Sequence, residues 1–449
     1  MIPQHLPPIS KSRIKDILRL ALPIIAGMGS QNLLNLVDVA MVGRLGTAPL
    51  AAVGLASMVI WVVTSPLQGL GPAVQAITAR RMGQKQDSHL HRAIVNAIYT
   101  ILLLGFPYAW LLLESSPWIF ARLTSDPEIY QIGLSYANIR IYTVAIIGLN
   151  FCFRGYFNGR KLAVLYMQTL LMMHPINIVL NFLLIYGHMG LPALGADGAA
   201  LGTAIATTLG CLNFIRLMTK HQNPGFSISP KVVSRRIQAN LVRLGLPSCL
   251  QTFSLALGFL FFFHIAGLVG REALAATNIL INLSLVCTLV AIGLGLAVIT
   301  LVGNSLGEND PVEAKNWVKC TAFLASVTIG TAGVLFALSP NFWLFLFTNE
   351  PQVVHIATLP LVLLGLSQTF DAAGLIFSYA HLGGGASKTV MAVSFINQWL
   401  IFLPACYIWT TYFDGLLLHL WICMFCYRFL LFLSFWVSIR RGRWLTVVV

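Results

Sequence analysis

Long apolar runs alternate with short polar breaks along almost the whole chain. Runs of about 20 residues are long enough to cross about 30 Å of hydrocarbon as α-helices. Twelve are found, at roughly 18–42, 50–78, 93–114, 130–152, 162–187 and 198–218, then 244–268, 274–302, 320–346, 353–380, 388–411 and 416–438. The longest polar stretch, Lys220 to Gln238, contains Pro224, Gly225 and Pro230 and parts the runs six and six. The pattern predicts an all-α membrane protein: a cytoplasmic N-terminal segment at 1–17, an N-lobe at 18–219, a linker at 220–243, a C-lobe at 244–438 and a cytoplasmic tail at 439–449.

The halves match each other at a constant offset of 224 residues. Leu20-Ala21-Leu22-Pro23 meets Leu244-Gly245-Leu246-Pro247, Gly43 and Gly46 meet Gly267 and Gly270, and Gly69-Leu70-Gly71 meets Gly293-Leu294-Gly295. Thr124 and Pro127 still meet Thr348 and Pro351 without a gap. With an even number of spans in each half, both halves start on the same side, so the two six-helix lobes form a parallel repeat about a pseudo-two-fold axis along the membrane normal. Alternating-access transporters are commonly built this way.

One polar seam interrupts the first span. Gln31, Asn35 and Asp38 stand at i, i+4 and i+7 and share one face of a helix otherwise lined by Leu and Val. A carboxyl at bilayer depth costs at least about 2.5 kcal/mol on insertion scales, so it turns toward a cavity or a partner. In span 5, Asn177 and Asn181 stand at i and i+4, a natural amide pair for a carboxylate on a packed neighbour; satisfied polar packing is the alternative. Of the 14 acidic residues only Asp38 and Asp371 fall well inside apolar spans, and Gln368 precedes Asp371 by one turn on the same face. Arg140 and Arg428 also sit within spans, where snorkelling to an interface is the simplest expectation. Polar packing is expected of His174 and His264. Pro66 with Gly69 and Gly71 is a hinge candidate. Met28, Met58, Trp61, Phe153, Met172, Met173 and Phe253 are candidates for an adaptable apolar wall, against the alternative of core or lipid-facing packing.

Composition agrees with the pattern, since 57% hydrophobic and 9% charged residues cannot clothe a soluble globule of 449 residues. The net charge of +14 does not imply nucleic acid, because Lys and Arg gather at span ends, as the positive-inside rule requires when both termini are cytoplasmic. The first 15 residues lack the small-residue cleavage site of a removable signal, so the first helix is expected to be retained. The eight cysteines lie in or near apolar spans, and Cys423 and Cys426 have no second pair and no His partner in a nearby loop; no disulfide and no structural metal are expected. Without a phosphate-binding glycine loop, a catalytic dyad or a continuous polar pore, an ATP-driven pump, an enzyme and a channel are all disfavoured.

Several stretches resemble the multidrug and toxic compound extrusion (MATE) family: Leu36-Val37-Asp38-Val39-Ala40-Met41-Val42-Gly43, Asn177 through Gly187, Gly198 through Ala204, Leu274 through Asn278 with Asn282, Gly303 through Glu308, and Gln368-Thr369-Phe370-Asp371. The resemblance covers about Leu18 to Arg443. It implies a V-shaped pair of six-helix lobes and a cation-coupled antiporter in the inner membrane, expelling organic, often aromatic and cationic, compounds with no cofactor. It implies an N-lobe ion site of Asp38, Asn177, Asn181 and Thr203, with Gln31 and Asn35 on the same pathway. A second-ranked C-lobe set is Asp371, Gln368, Asn278 and Asn282. The chain departs from the pattern at Asn181, where some members have Asp, and at Leu255, where many have Glu. One carboxyl per lobe favours H⁺ as the coupling ion, with Na⁺ at Asp38 as the alternative. A monomer in the lipid bilayer, exchanging small organic substrates and binding no nucleic acid, is expected. A lipid-linked precursor flippase of the same superfamily is the rival, and the scarcity of mid-span Lys and Arg disfavours it.

Overall fold

The computed structural model describes residues 9–86, 89–221, 227–413 and 415–447. Pro3, Pro7 and Pro8 of the N-terminal segment and Pro224 and Gly225 of the linker lie outside the described residues. The helices of the first half are α1 (Lys11–Gly43), α2 (Thr47–Gln68), α3 (Leu70–Gly83), α4 (Arg92–Leu123), α5 (Pro127–Tyr142), α6 (Val144–Gly159), α7 (Ala163–Tyr186) and α8 (Ala196–Lys220). The second half holds α9 (Arg235–Val269), α10 (Arg271–Gly307), α11 (Pro311–Leu338), α12 (Pro340–Phe345), α13 (Pro351–Gly383), α14 (Ser387–Phe395), α15 (Leu403–Tyr412) and α16 (Leu417–Arg441). A π-helical stretch at Ile396–Phe402 joins α14 to α15. Eleven spans among the described residues are long and apolar enough to cross a membrane, and the pair α5 and α6, bent by 50°, makes a twelfth.

The repeat is carried into the elements. α1 and α9 begin at residues 11 and 235, α5 and α13 at 127 and 351, and α7 and α14 at 163 and 387, each pair 224 apart. Local chemistry starts several helices alike. Asp126 caps α5, accepting from Glu128 N–H at 2.9 Å ahead of Pro127, and Asp310 caps α11, accepting from Glu313 N–H at 2.8 Å. Gly46 and Gly270 lead into α2 and α10 with φ of +125° and +151°, a region that favours glycine.

Two compact units result, one of residues 26–249 and one of residues up to 25 together with 250–449. The linker divides the chain in sequence; the packing divides it inside α1 and α9, at positions again 224 apart and two residues beyond Pro23 and Pro247. The start of α1 belongs to the second of these units because Ile17, Leu20 and Ala21 are buried in one core with Phe262, Ile265 and Ala266. An ion pair anchors it there: Arg13 Nη1 and Nη2 donate to the two carboxylate oxygens of Glu313 at 2.7 and 2.8 Å.

Within each unit small residues let helices meet closely. A Cβ on Gly155 of α6 would strike the backbone of Gly71 on α3, and Gly333 of α11 and Gly365 of α13 face each other in the same way. Gly69, part of the hinge candidate, also serves close approach, since its Cβ would overlap the backbone at Ser248 and Cys249. Outward faces are apolar: Leu103, Phe106 and Trp110 on α4 are 71%, 64% and 66% exposed, a surface suited to lipid. Near helix ends Arg122 stacks on Trp118 and Arg440 on Trp436, as in an interfacial aromatic belt. Of the residues considered for an apolar wall, Phe153 and Met173 are instead core, Phe153 stacking on Phe214 at 5.7 Å. Met58, Trp61 and Met172 are exposed.

Candidate functional site

The polar seam of α1 forms as its spacing requires, and it faces α7. Asn181 Nδ2 donates to Asp38 Oδ1 at 2.8 Å and also to Asn177 Oδ1 at 3.1 Å. One amide of α7 thus bonds the carboxylate on α1 directly, and the second, one turn earlier, bonds that amide. Asn177 and Asn181 are 1% and 0% exposed, whereas Asp38 is half-buried, so the carboxylate is the open end of a buried polar ladder. Higher on the same seam, Gln31 Nε2 donates to Asn35 Oδ1 at 3.3 Å, and His174 Nε2 lies 3.3 Å from Gln31 Oε1. Asn35 is exposed.

The ladder rests on a glycine. Asn181 Oδ1 is buried without a hydrogen-bond partner and sits against Gly202 of α8, where any Cβ would overlap it. The close approach leaves room only for a weak Cα–H contact. Thr203, the next residue, turns its hydroxyl to its own helix, donating to Ala199 C=O at 2.9 Å. No hydrogen bond among the described residues joins Thr203 to Asp38.

Arg140 is the member that the spacing does not reveal. Its positive charge acts on Asp38, and its Nη1 is buried with no hydrogen-bond partner. The bend between α5 and α6 falls three residues later: Thr143 donates both N–H and hydroxyl to Arg140 C=O, at 3.1 and 2.8 Å. The buried Nη1 packs this end of the guanidinium within the unit. The available signal was the one used for Asp38, an ionisable residue inside an apolar run.

In the other unit Asp371 forms an ion pair with Arg428, Oδ2 to Nη1, at 3.2 Å. This corrects the expectation of snorkelling for Arg428. Gln368 is 2% exposed. Asn278 and Asn282 are exposed and bond to each other at 2.6 Å, and among the described residues no hydrogen bond links them to Asp371. Where the first unit has His174 beside Gln31, the second has Gln398 donating to Leu255 C=O at 3.3 Å, at positions 224 later. Phe262, the equivalent of Asp38, is core.

Asp38 and Arg140 in one unit, and Asp371 and Arg428 in the other, thus lie well inside apolar spans. The N-lobe carboxylate keeps an amide donor and partial access, which suits reversible cation binding; the C-lobe carboxylate is already neutralised. Asp371→Asn is accordingly expected to lower thermal stability and to reduce transport only in part, because Arg428 keeps two hydroxyl partners. Complete loss of transport in that variant, with Asp38→Asn inert, would reverse the ranking.

A family model described as MatE matches residues 23–183 and again 247–408. The two matches also begin 224 residues apart. The chain is 26% identical over 446 residues to a probable multidrug resistance protein, NorM, of Thermotoga maritima, covering 96% of this chain and 93% of that one. It is 29% identical over 402 residues to the NorM of Photorhabdus laumondii, covering 87% and 86%. Its fold is similar to that of a MOP superfamily transporter from Pyrococcus furiosus, with a TM-score of 0.88 at 22% identity over 97% of both chains.

Proposed function

The chain belongs to the MATE family of membrane transporters, and from that premise we propose that it is a multidrug exporter exchanging H⁺, in preference to Na⁺, for organic and often aromatic or cationic compounds by alternating access. The observation that carries this reading is the half-buried carboxylate of Asp38, held by one amide, with the charge of Arg140 within electrostatic reach. A proton needs one carboxyl oxygen. A hard metal cation needs several oxygen ligands and a surplus of negative charge, and a neighbouring arginine removes that surplus. The names of the relatives support drug efflux, and the distribution of Lys and Arg supports an inner-membrane protein with both termini cytoplasmic. It works as a monomer in lipid and needs no cofactor. In one-for-one exchange with a monovalent cation no net charge moves, and each tenfold proton gradient supplies about 1.4 kcal/mol, enough for a tenfold concentration ratio.

The test uses proteoliposomes and ethidium, an aromatic cation. An inward proton gradient without sodium should drive export, and an inward sodium gradient with a protonophore present should not. Robust transport only under the second condition overturns proton coupling.

A further inference from the structure

Asp371 is not a free carboxylate. Besides its contact with Asp371 at 3.2 Å, the guanidinium of Arg428 donates from Nη2 to Ser284 Oγ at 2.9 Å and from Nη1 to Ser367 Oγ at 3.3 Å. The hydroxyls come from α10 and α13, so two helices converge on the arginine of α16. The side chains of Arg428 and Asp371 are 12% and 30% exposed, which places the charged head inside the unit and leaves the carboxylate in partial contact with the surroundings. Gln368 Nε2, buried and without a hydrogen-bond partner, adds one more donor to the same turn. Cys287 and Tyr427 lie within electrostatic reach of both charges.

An arginine carries its charge permanently, and its planar fork is braced here by acceptors other than the carboxylate. It therefore stays in place whether or not Asp371 is engaged. A small cation at Asp371 would have to settle beside a fixed like charge, and both serine oxygens are already accepting from Arg428.

We propose that Arg428 is the resident counter-cation of Asp371 and sets the ion specificity of the C-terminal unit by excluding Na⁺ from that carboxylate. It is a positioning residue acting through Asp371. The consequence for coupling, that ion traffic is left to Asp38, rests on the exporter reading; the exclusion itself rests on the ion pair alone.

The experiment is direct ²²Na⁺ binding to the full-length protein in nanodiscs, in an Asp38→Asn background so that only the C-terminal carboxylate reports. No saturable binding is expected in that background, and adding Asp371→Asn should change nothing. Adding Arg428→Gln should create a site whose affinity is about a hundredfold or more above the background, given the like charge removed, and Asp371→Asn on top should abolish it. Arg428→Lys, which keeps the charge, should stay silent. Should Arg428→Gln fail to fold, Ser284→Ala with Ser367→Ala loosens the brace instead, and Na⁺ binding should rise at least severalfold. Sodium binding in the starting background that Asp371→Asn removes, or no gain in either folded test variant, overturns the proposal. Because binding is read without transport, failure of cation-driven export would overturn the functional reading and leave this result standing.

Discussion

Replacing Asp38 with Asn should abolish ion-driven export while the protein still inserts and accumulates. The amide has nearly the same volume, and its oxygen can still accept from Asn181 Nδ2, which now bonds Asp38 at 2.8 Å. It can neither take up nor release a proton, and it offers no charge to a metal cation. The concentration ratio sustained by the proton gradient, about tenfold for each tenfold difference in protons, should be lost. The variant should also be less stable, because Arg140 Nη1, already without a hydrogen-bond partner, loses the opposing charge that offsets its burial. A double variant separates the two effects. Asp38→Asn with Arg140→Gln removes both charges, so thermal stability should recover and export should not. Normal proton-driven export by a well-expressed Asp38→Asn protein would end the assignment.

The second large effect is expected at Gly202, which carries no functional group. An alanine Cβ there would overlap Asn181 Oδ1, so the amide must rotate and give up its bonds to Asp38 and Asn177. Overpacking of a buried contact costs roughly 1–3 kcal/mol, and the displaced amide loses its partners besides. Gly202→Ala should cut export at least about tenfold, since a loss of 1.4 kcal/mol in positioning already corresponds to that factor. Gly54→Ala is the control: its added methyl meets nothing within 4 Å, and alanine favours helix over glycine by about 1 kcal/mol. Export by Gly202→Ala at the level of Gly54→Ala would mean that Asn181 need not hold its present position.

Both variants test a ladder that was only half legible in the chain. The seam Gln31, Asn35, Asp38 and the pair Asn177, Asn181 follow from a period of 3.6, and the structure keeps each set on one helix face. Thr203 illustrates the limit of that reasoning. A threonine hydroxyl inside a helix has the carbonyl four residues back always within reach, and Thr203 takes Ala199 C=O. The residue beside it, Gly202, touches the ladder and gives no chemical sign of doing so. Arg140 and Arg428 were visible as charges within apolar runs, yet their partners stand 102 and 57 residues away along the chain (140 − 38 and 428 − 371), at distances that no periodicity encodes.

What the sequence determined by itself is whatever depends on local period and composition: twelve apolar spans, their helical state, the offset of 224 between halves, and which polar residues share a face. These are set by hydrogen bonds within one segment and by the cost of exposing polar groups to hydrocarbon, both of which can be evaluated without knowing the neighbours. The tertiary structure alone decided that the start of α1 is built into the unit of the C-terminal half, that span 4 bends by 50°, that Asp371 pairs with Arg428 and that Arg140 comes within electrostatic reach of Asp38. In hydrocarbon all apolar helix faces are nearly equivalent partners. Which faces meet is therefore settled by close fits such as Gly71 with Gly155 and Gly202 with Asn181, and by which buried charges find an opposite one.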